Sequence, residues 1–156
     1  LSPTNTTSRE HTWVLFRYGE ILLNYAEAMN EAYGPENGAT FGLTALDAVN
    51  QVRQRVNMPN FPAGLSQNEF REKLQNERMV ELAFEDHRFW DIRRWKIGQQ
   101  TTNIFQMEIS TNSSNNGFVF EKKLLEVRPF EEKMNLYPIP QAELFKNENL
   151  TQNTGW

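Results

Sequence analysis

The chain has 156 residues, a formal net charge of −4 and no cysteine, which excludes disulfides and thiolate metal sites. Apolar residues make up 38% and charged residues 23%, a globular balance, and a chain of this size can bury roughly 70% of its unfolded surface without staples. The acidic charge speaks against a nucleic-acid partner, since phosphate binding needs a concentrated basic surface, and no apolar run approaches the roughly 20 residues that span a bilayer.

The polar start, LSPTNTTSREH, has neither the basic beginning nor the apolar centre of a signal peptide. It suits a piece of a longer chain, and any targeting signal or lipid anchor is then expected outside it. The first strong pattern is VLFRYGEILLNYAEAMNEAY, residues 14–33. Leu15, Tyr18, Leu22, Tyr25, Ala26 and Met29 recur at helical spacing and predict a helix with one apolar face. Gly34 and Pro35 stop it. After the loop GPENGATFG, the residues Ala45, Val49, Val52 and Val56 again fall at helical spacing, and Pro59 and Pro62 end that run. Two helices joined by a short loop, each apolar on one side, predict an antiparallel helix pair.

Ser66 and Glu69 form a capping box that opens a third helix over about 67–85, and a fourth is expected over about 87–97, closed by Gly98. The character then changes. NIFQMEIST and GFVFEKKLLEV flank the polar turn NSSNNG, which predicts a β-hairpin near residues 104–128. In LYPIPQAELF two prolines hold an extended segment, and a short helix starts at Pro140. The end, NENLTQNTGW, is expected to be irregular. Pattern alone therefore gives a mainly α protein of packed helix pairs with one small hairpin; the helix spacing is not far from that of a tetratricopeptide-type repeat, but the signature residues of that repeat are not cleanly present. No compositional break demands a second domain, so residues 1–156 are expected to form one.

The densest chemistry lies in VELAFEDHRFWDIRRW, residues 80–95. Phe70, Leu74, Glu77, Glu81, Phe84 and Arg88 share one helical stripe if the third helix runs that far. Two carboxylates then sit on an apolar face, where each needs a partner. Arg78, Arg88, Arg93 and Arg94 are near enough in sequence to supply one. Arg88 with Asp91, and Asp91 with Arg94, are i, i+3 pairs, and Trp90 with Arg94 is spaced for a guanidinium on an indole face. As structure, Glu77, Arg78, Glu81, Arg88, Trp90, Asp91, Arg93 and Arg94 form an ion-pair and aromatic network. As chemistry, Glu77 and Glu81 would be the acid and nucleophile of a glycosidase. Arginines packed around both carboxylates would remove the general acid, so the structural reading outweighs the catalytic one, and no catalytic residue is assigned.

His87 and Asp91 could coordinate a metal from one helix, but the only other histidine is His11 and no third ligand is marked; no metal or cofactor is expected. The aromatic candidates for stacking on a sugar ring are Trp13, in the polar leader, and Trp156, at the end of the chain. Each is more readily explained as an anchor for its loop.

RYGEILLNYAEAMNE, ALDAVNQVRQRVNMP, LSQNEFREKLQNERMVELAFEDHRFWDIRRWKIG and LYPIPQAELFKNENLTQN follow one another in this order. Together they resemble the C-terminal part of the SusD/RagB family of Bacteroidota outer-membrane lipoproteins. The most telling piece, NERMVELAFEDHRFWDIRRW, is similar to a long family signature, and LYPIP with a final LTQN is the second. The likeness runs from about Arg17 to Trp156. It implies a tetratricopeptide-like helical fold and a non-enzymatic protein on the cell surface, tethered by a lipidated cysteine. Such a protein binds oligosaccharides, or peptides in RagB-like members, as a lid on a SusC-like TonB-dependent transporter. The family's complete chains are much longer, so the N-terminal region with the anchor and most ligand-binding loops is expected outside this sequence. The resemblance assigns no ligand role to the signature. A protein-interaction module of helix pairs, with the transporter as its main partner, is the alternative reading.

Overall fold

Residues 14–114 and 116–156 are described in a computed structural model of the chain, which divides into two units, 1–87 and 88–156. Trp13 and His11 lie outside the described residues.

In the first unit, helix α1 (Tyr18–Tyr33) starts four residues later than its pattern predicts, with Arg17 in extended conformation as its N-cap. Leu15 and Tyr18, expected on the apolar face, are exposed. The buried stripe is Leu22, Leu23, Ala26 and Met29, joined by the polar Glu20 and Asn30. Gly34 ends the helix with φ 86°, a left-handed value that costs glycine nothing. Helix α2 (Ala45–Gln54) opens on a capping box between Thr44 and Asp47 and packs Ala45, Ala48, Val49 and Val52 into the shared core. It stops before Pro59. Asn57 turns left-handed at φ 57°, and Val56, expected on the buried face, is exposed.

Helix α3 (Gln67–Glu81) begins at the predicted Ser66–Glu69 box, each residue bonding the other's backbone N–H. It sends Phe70 and Leu74 into the core, where the Phe61 ring meets Phe70 edge-on at 5.9 Å. Both α2 and α3 pack on α1. Buried Asn30 ties two helix ends together: its Nδ2 donates to the Gln67 carbonyl at 3.1 Å, and Gln67 Nε2 donates back to the Asn30 carbonyl at 2.5 Å.

The predicted continuation of α3 to residue 85 does not occur. Leu82 closes the helix and is itself buried, whereas Phe84 (φ 65°) and Asp86 (φ 63°) adopt left-handed backbone. A short polar aspartate accepts that conformation; a phenylalanine does so at a cost of roughly 1–2 kcal/mol. The stripe expected to pass through Phe84 and Arg88 is therefore broken, and Phe84 is fully exposed.

The second unit starts with most of α4 (His87–Arg94). The helix ends before residue 97, where Lys96 has φ 56°. A 3₁₀ turn (Gly98–Thr101) leads into the hairpin of β1 (Asn103–Thr111) and β2 (Phe118–Val127). The strands pair antiparallel from Asn103 with Val127 to Thr111 with Phe118, with a bulge beside Ile104 and Phe105. The expected hairpin is thus present within a residue or two of its predicted limits. A second 3₁₀ turn (Glu132–Asn135) precedes the prolines, and α5 (Gln141–Lys146) starts after Pro140, as its N-cap. The tail is irregular yet tethered. The Gln152 side chain pairs with both backbone groups of Ile139 at 2.7 and 2.9 Å, and Asn153 Nδ2 donates to the Tyr137 carbonyl at 2.5 Å.

Gly98 is a packing glycine: a Cβ there would lie 2.3 Å from the Phe130 ring. Gly98→Ala should lower stability by roughly 1–3 kcal/mol, the usual cost of overpacking. Chemical denaturation measures this, and an unchanged midpoint would mean that the ring moves freely aside.

Candidate functional site

The acidic residues of the predicted cluster find their partners outside it. Glu77, on α3, pairs with Arg53 of α2. Glu81, the last residue of α3, receives Arg17 Nη1 at 2.6 Å and Arg55 Nη2 at 2.9 Å. Arg17 also donates through Nη2 to the Glu81 carbonyl, one of the helix-end carbonyls that lacks an intrahelical partner. Through Nε it reaches both Glu85 oxygens, at 3.0 and 2.8 Å. One guanidinium at the start of α1 thus clamps the end of α3 and the turn that follows. The hydrogen bond to Glu85 is the main reason the Arg17 guanidinium is held above its ordinary value, and the same bond holds the Glu85 carboxyl below the usual carboxylate value. Space for the clamp comes from Gly19, where a Cβ would stand 2.8 Å from Arg17 Nη1.

The remaining members of the predicted cluster divide between the units. Arg78 is buried and donates to Asn24 Oδ1 of α1 at 2.6 Å. His87 Nε2 lies 3.7 Å from the buried Glu20 carboxylate. In the second unit, buried Asp91 receives Arg94 Nε at 2.8 Å, the expected i, i+3 pair. Burial lowers the Arg88 guanidinium, with Asp91 opposing that shift. Arg93 lies 3.5 Å over the Phe89 ring and donates to the Phe89 carbonyl at 2.8 Å. Arg94 stands over Trp95 at 4.5 Å, and Trp90, the ring expected to carry it, meets the edge of Phe89 at 5.1 Å.

This corrects the pairing scheme read from sequence. Arg78, Arg88, Arg93 and Arg94 are the expected donors to Glu77 and Glu81, but Arg53 pairs with Glu77, and Arg17 and Arg55 pair with Glu81. The reason is the end of α3 at Glu81. Without a continuous helix, donors further along the chain lose the shared face, and α2 and the start of α1 present theirs. Arg17, Arg53, Arg55 and Glu85 were invisible to pattern reading. The only available signal was a pair of carboxylates on an apolar face with arginines of two other helices left unassigned.

Glu77 and Glu81 are occupied as ion-pair acceptors, whereas an acid and a nucleophile must face a substrate. The arrangement is a clamp. Within the second unit, a cleft of about 1100 Å³ is lined by Trp90, Arg93, Lys96, Lys133, Tyr137 and Asn153 among others. Trp156 donates its indole N–H to the Lys133 and Leu136 carbonyls at 3.0 and 3.1 Å, and the Lys133 ammonium lies 5.0 Å from its ring centre. The ring holds the tail to the turn at 132–135.

The SusD family model matches residues 1–156. Two SusD-like proteins of Formosa agariphila are each 32% identical to the chain, over 98% and 90% of its length. Among solved structures, a SusD-like protein from Bacteroides fragilis matches 92% of the chain at 34% identity with a TM-score of 0.76. A SusD homolog from Bacteroides thetaiotaomicron matches the same share at 28% identity with a TM-score of 0.63. The chain spans only 27% and 23% of the two curated relatives and 26% and 27% of the two solved chains. The fold is thus mainly α with tetratricopeptide-like helix pairs and one hairpin.

Glu81 is 12% exposed, but its donors Arg17 and Arg55 are 25% and 60% exposed. A fully dry pair would lose roughly 3–5 kcal/mol on truncation. Here Glu81→Ala should cost roughly 1.5–3 kcal/mol, the range for hydrogen bonds to charged groups. Urea denaturation decides; a loss under about 0.5 kcal/mol would place the clamp among ordinary surface pairs.

The lowered Glu85 carboxyl sets a pH dependence. Because its folded value lies below the unfolded one, its stabilisation is complete above about 4.5 and is lost as pH falls through the folded value. The stabilisation that Glu85 contributes should be present at neutral pH and decline as acid reaches the carboxylate range, and Glu85→Gln should make that decline shallower. Melting curves across acid pH test this, with an unchanged slope in the variant as the contrary result.

Proposed function

The chain belongs to the SusD family, and from that premise we propose that it is the C-terminal scaffold of a surface lipoprotein that binds oligosaccharides for uptake. Its partner in this reading is a SusC-like TonB-dependent transporter in the outer membrane. The observation that carries the proposal is the family match over all 156 residues. The chain spans 27% and 23% of its two curated relatives, and in this reading ligand contact is shared with the rest of the longer polypeptide. The protein is a carrier and not an enzyme. Supporting this, the paired glutamates that suit a glycosidase are engaged by Arg53, Arg17 and Arg55.

A site of binding within residues 1–156 is not needed for this role. Trp156 already spends its indole N–H on two backbone carbonyls, which favours an anchoring role over sugar stacking. Helix pairs with exposed outer faces serve equally as contact for the transporter, and that is the scaffold's second task.

Isothermal titration of the family-length protein and of the 156-residue chain against a panel of oligosaccharides tests the reading. Binding is expected with the long protein and not with the short one. Binding of peptides alone would make the protein a peptide carrier of the RagB kind. Hydrolysis of a glycan that disappears in Glu77→Gln would overturn the non-catalytic reading altogether.

A further inference from the structure

Asparagine is followed directly by glycine at two places, Asn37–Gly38 and Asn116–Gly117. Glycine has no Cβ to shield its backbone nitrogen, so that nitrogen can close a five-membered ring on the carboxamide before it. The two steps have the same chemistry, but the fold holds them differently.

In the loop between α1 and α2, Asn37 Oδ1 accepts from the Ala39 N–H at 2.9 Å, and the Gly38 carbonyl accepts from the Phe41 N–H at 2.9 Å. A Cβ at Gly38 would lie 3.5–3.6 Å from the backbone of Gly42 and Leu43. This step is packed backbone against backbone, and the donor that holds its carboxamide is fixed in the main chain.

In the turn between the strands, the neighbour is Asn112. Its Nδ2 donates to Asn116 Oδ1 at 2.7 Å, and its Oδ1 accepts from the Asn116 N–H at 3.1 Å. Its own backbone N–H donates to the Gly117 carbonyl at 2.9 Å. A Cβ at Gly117 would meet only Asn112 Nδ2, at 3.3 Å. The Gly117 N–H has no partner among the described residues. An uncommitted nitrogen thus stands next to a carboxamide whose oxygen already receives a donor, and that donor is a side chain able to follow the oxygen as it moves. A donor on the oxygen where charge develops lowers the barrier to attack on its carbon.

We propose that Asn116 is a site of spontaneous covalent modification, deamidation through a cyclic imide with Gly117, assisted by Asn112. Hydroxide takes the Gly117 amide proton, and the nitrogen bonds to Asn116 Cγ while Asn112 Nδ2 steadies the charge on Oδ1. The Cγ–Nδ2 bond then breaks, and ammonia leaves with a proton drawn from water. Water opens the ring in one of two ways. Breaking the new C–N bond leaves aspartate, and breaking the original peptide C–N bond leaves isoaspartate. Either product adds a negative charge to the turn. Isoaspartate also lengthens the main chain by one methylene beside the Asn112–Gly117 hydrogen bond from which the ladder starts. The hairpin therefore carries a slow, one-way chemical switch.

The test follows both steps in the 156-residue chain at mildly alkaline pH, by peptide mapping with isoaspartyl detection, folded and in urea. In the folded chain Asn116 should convert at least about tenfold faster than Asn37, which has to wait for local opening. In urea the two rates should converge, because the dipeptides are identical. Asn112→Ala should slow conversion at Asn116 about threefold, the share of one modest hydrogen bond, and leave Asn37 unchanged. Gly117→Ala, which shields the nitrogen, should nearly abolish it. Equal rates in the folded chain, or faster loss at Asn37, would overturn the proposal. Conversion that persists in Gly117→Ala would exclude the ring, and an unchanged rate in Asn112→Ala would remove Asn112 from the reaction. Neither glycan nor transporter enters the measurement, so its outcome is separate from that of the uptake reading.

Discussion

The first unit depends on the Arg17 guanidinium. Three helices of moderate length share a small core, and their buried residues are mostly alanine, valine and leucine. Such a core holds the helices together but leaves their ends free to slide or fray. Arg17 removes that freedom at one end by joining the start of α1 to the last carboxylate and carbonyl of α3 and to Glu85 beyond it. Asn30 and Gln67 do the same at the other end of α1 through backbone carbonyls. A guanidinium suits the first position because its planar fork reaches several oxygens at once, which an ammonium cannot do with the same geometry.

The second unit solves a different problem. Among the described residues it has no comparable buried apolar cluster, and its short elements are held by side chains that reach backbone groups. Gln152 completes the hydrogen bonding of Ile139, Asn153 that of Tyr137, and Trp156 that of the 132–135 turn. Around them the rings of Phe89, Trp90 and Tyr137 meet at 5.1 to 6.2 Å, with Arg93 laid over Phe89. Stacking of this kind tolerates water at its edge, because both the guanidinium and the aromatic rim keep a polar side.

Several signals that rest on neighbouring residues were read correctly, although the Thr44–Asp47 box that opens α2 was missed. The Ser66–Glu69 box, the stop at Gly34, the turn between the two strands and the helix start after Pro140 each involve residues a few positions apart. The stripe through Phe84 failed because helical spacing carries no information on where a helix stops. That stop is set by left-handed backbone at Phe84 and Asp86, and neither residue type announces it. Val56 was misplaced for the same reason: its spacing was right, but α2 had already ended at Gln54.

By itself the sequence determined the helical periods, the caps, the hairpin and the likeness to the SusD family, since these reside in neighbouring residues or in the order of long motifs. It also made plain that carboxylates on an apolar face require cationic partners. Which arginines serve was decided only by tertiary structure. Arg17 and Glu81 are 64 positions apart, and Arg53 and Glu77 are 24 apart; only the packing of α2 and α3 on α1 brings them together. Charge requirements are local, but their satisfaction is a property of the assembled helices.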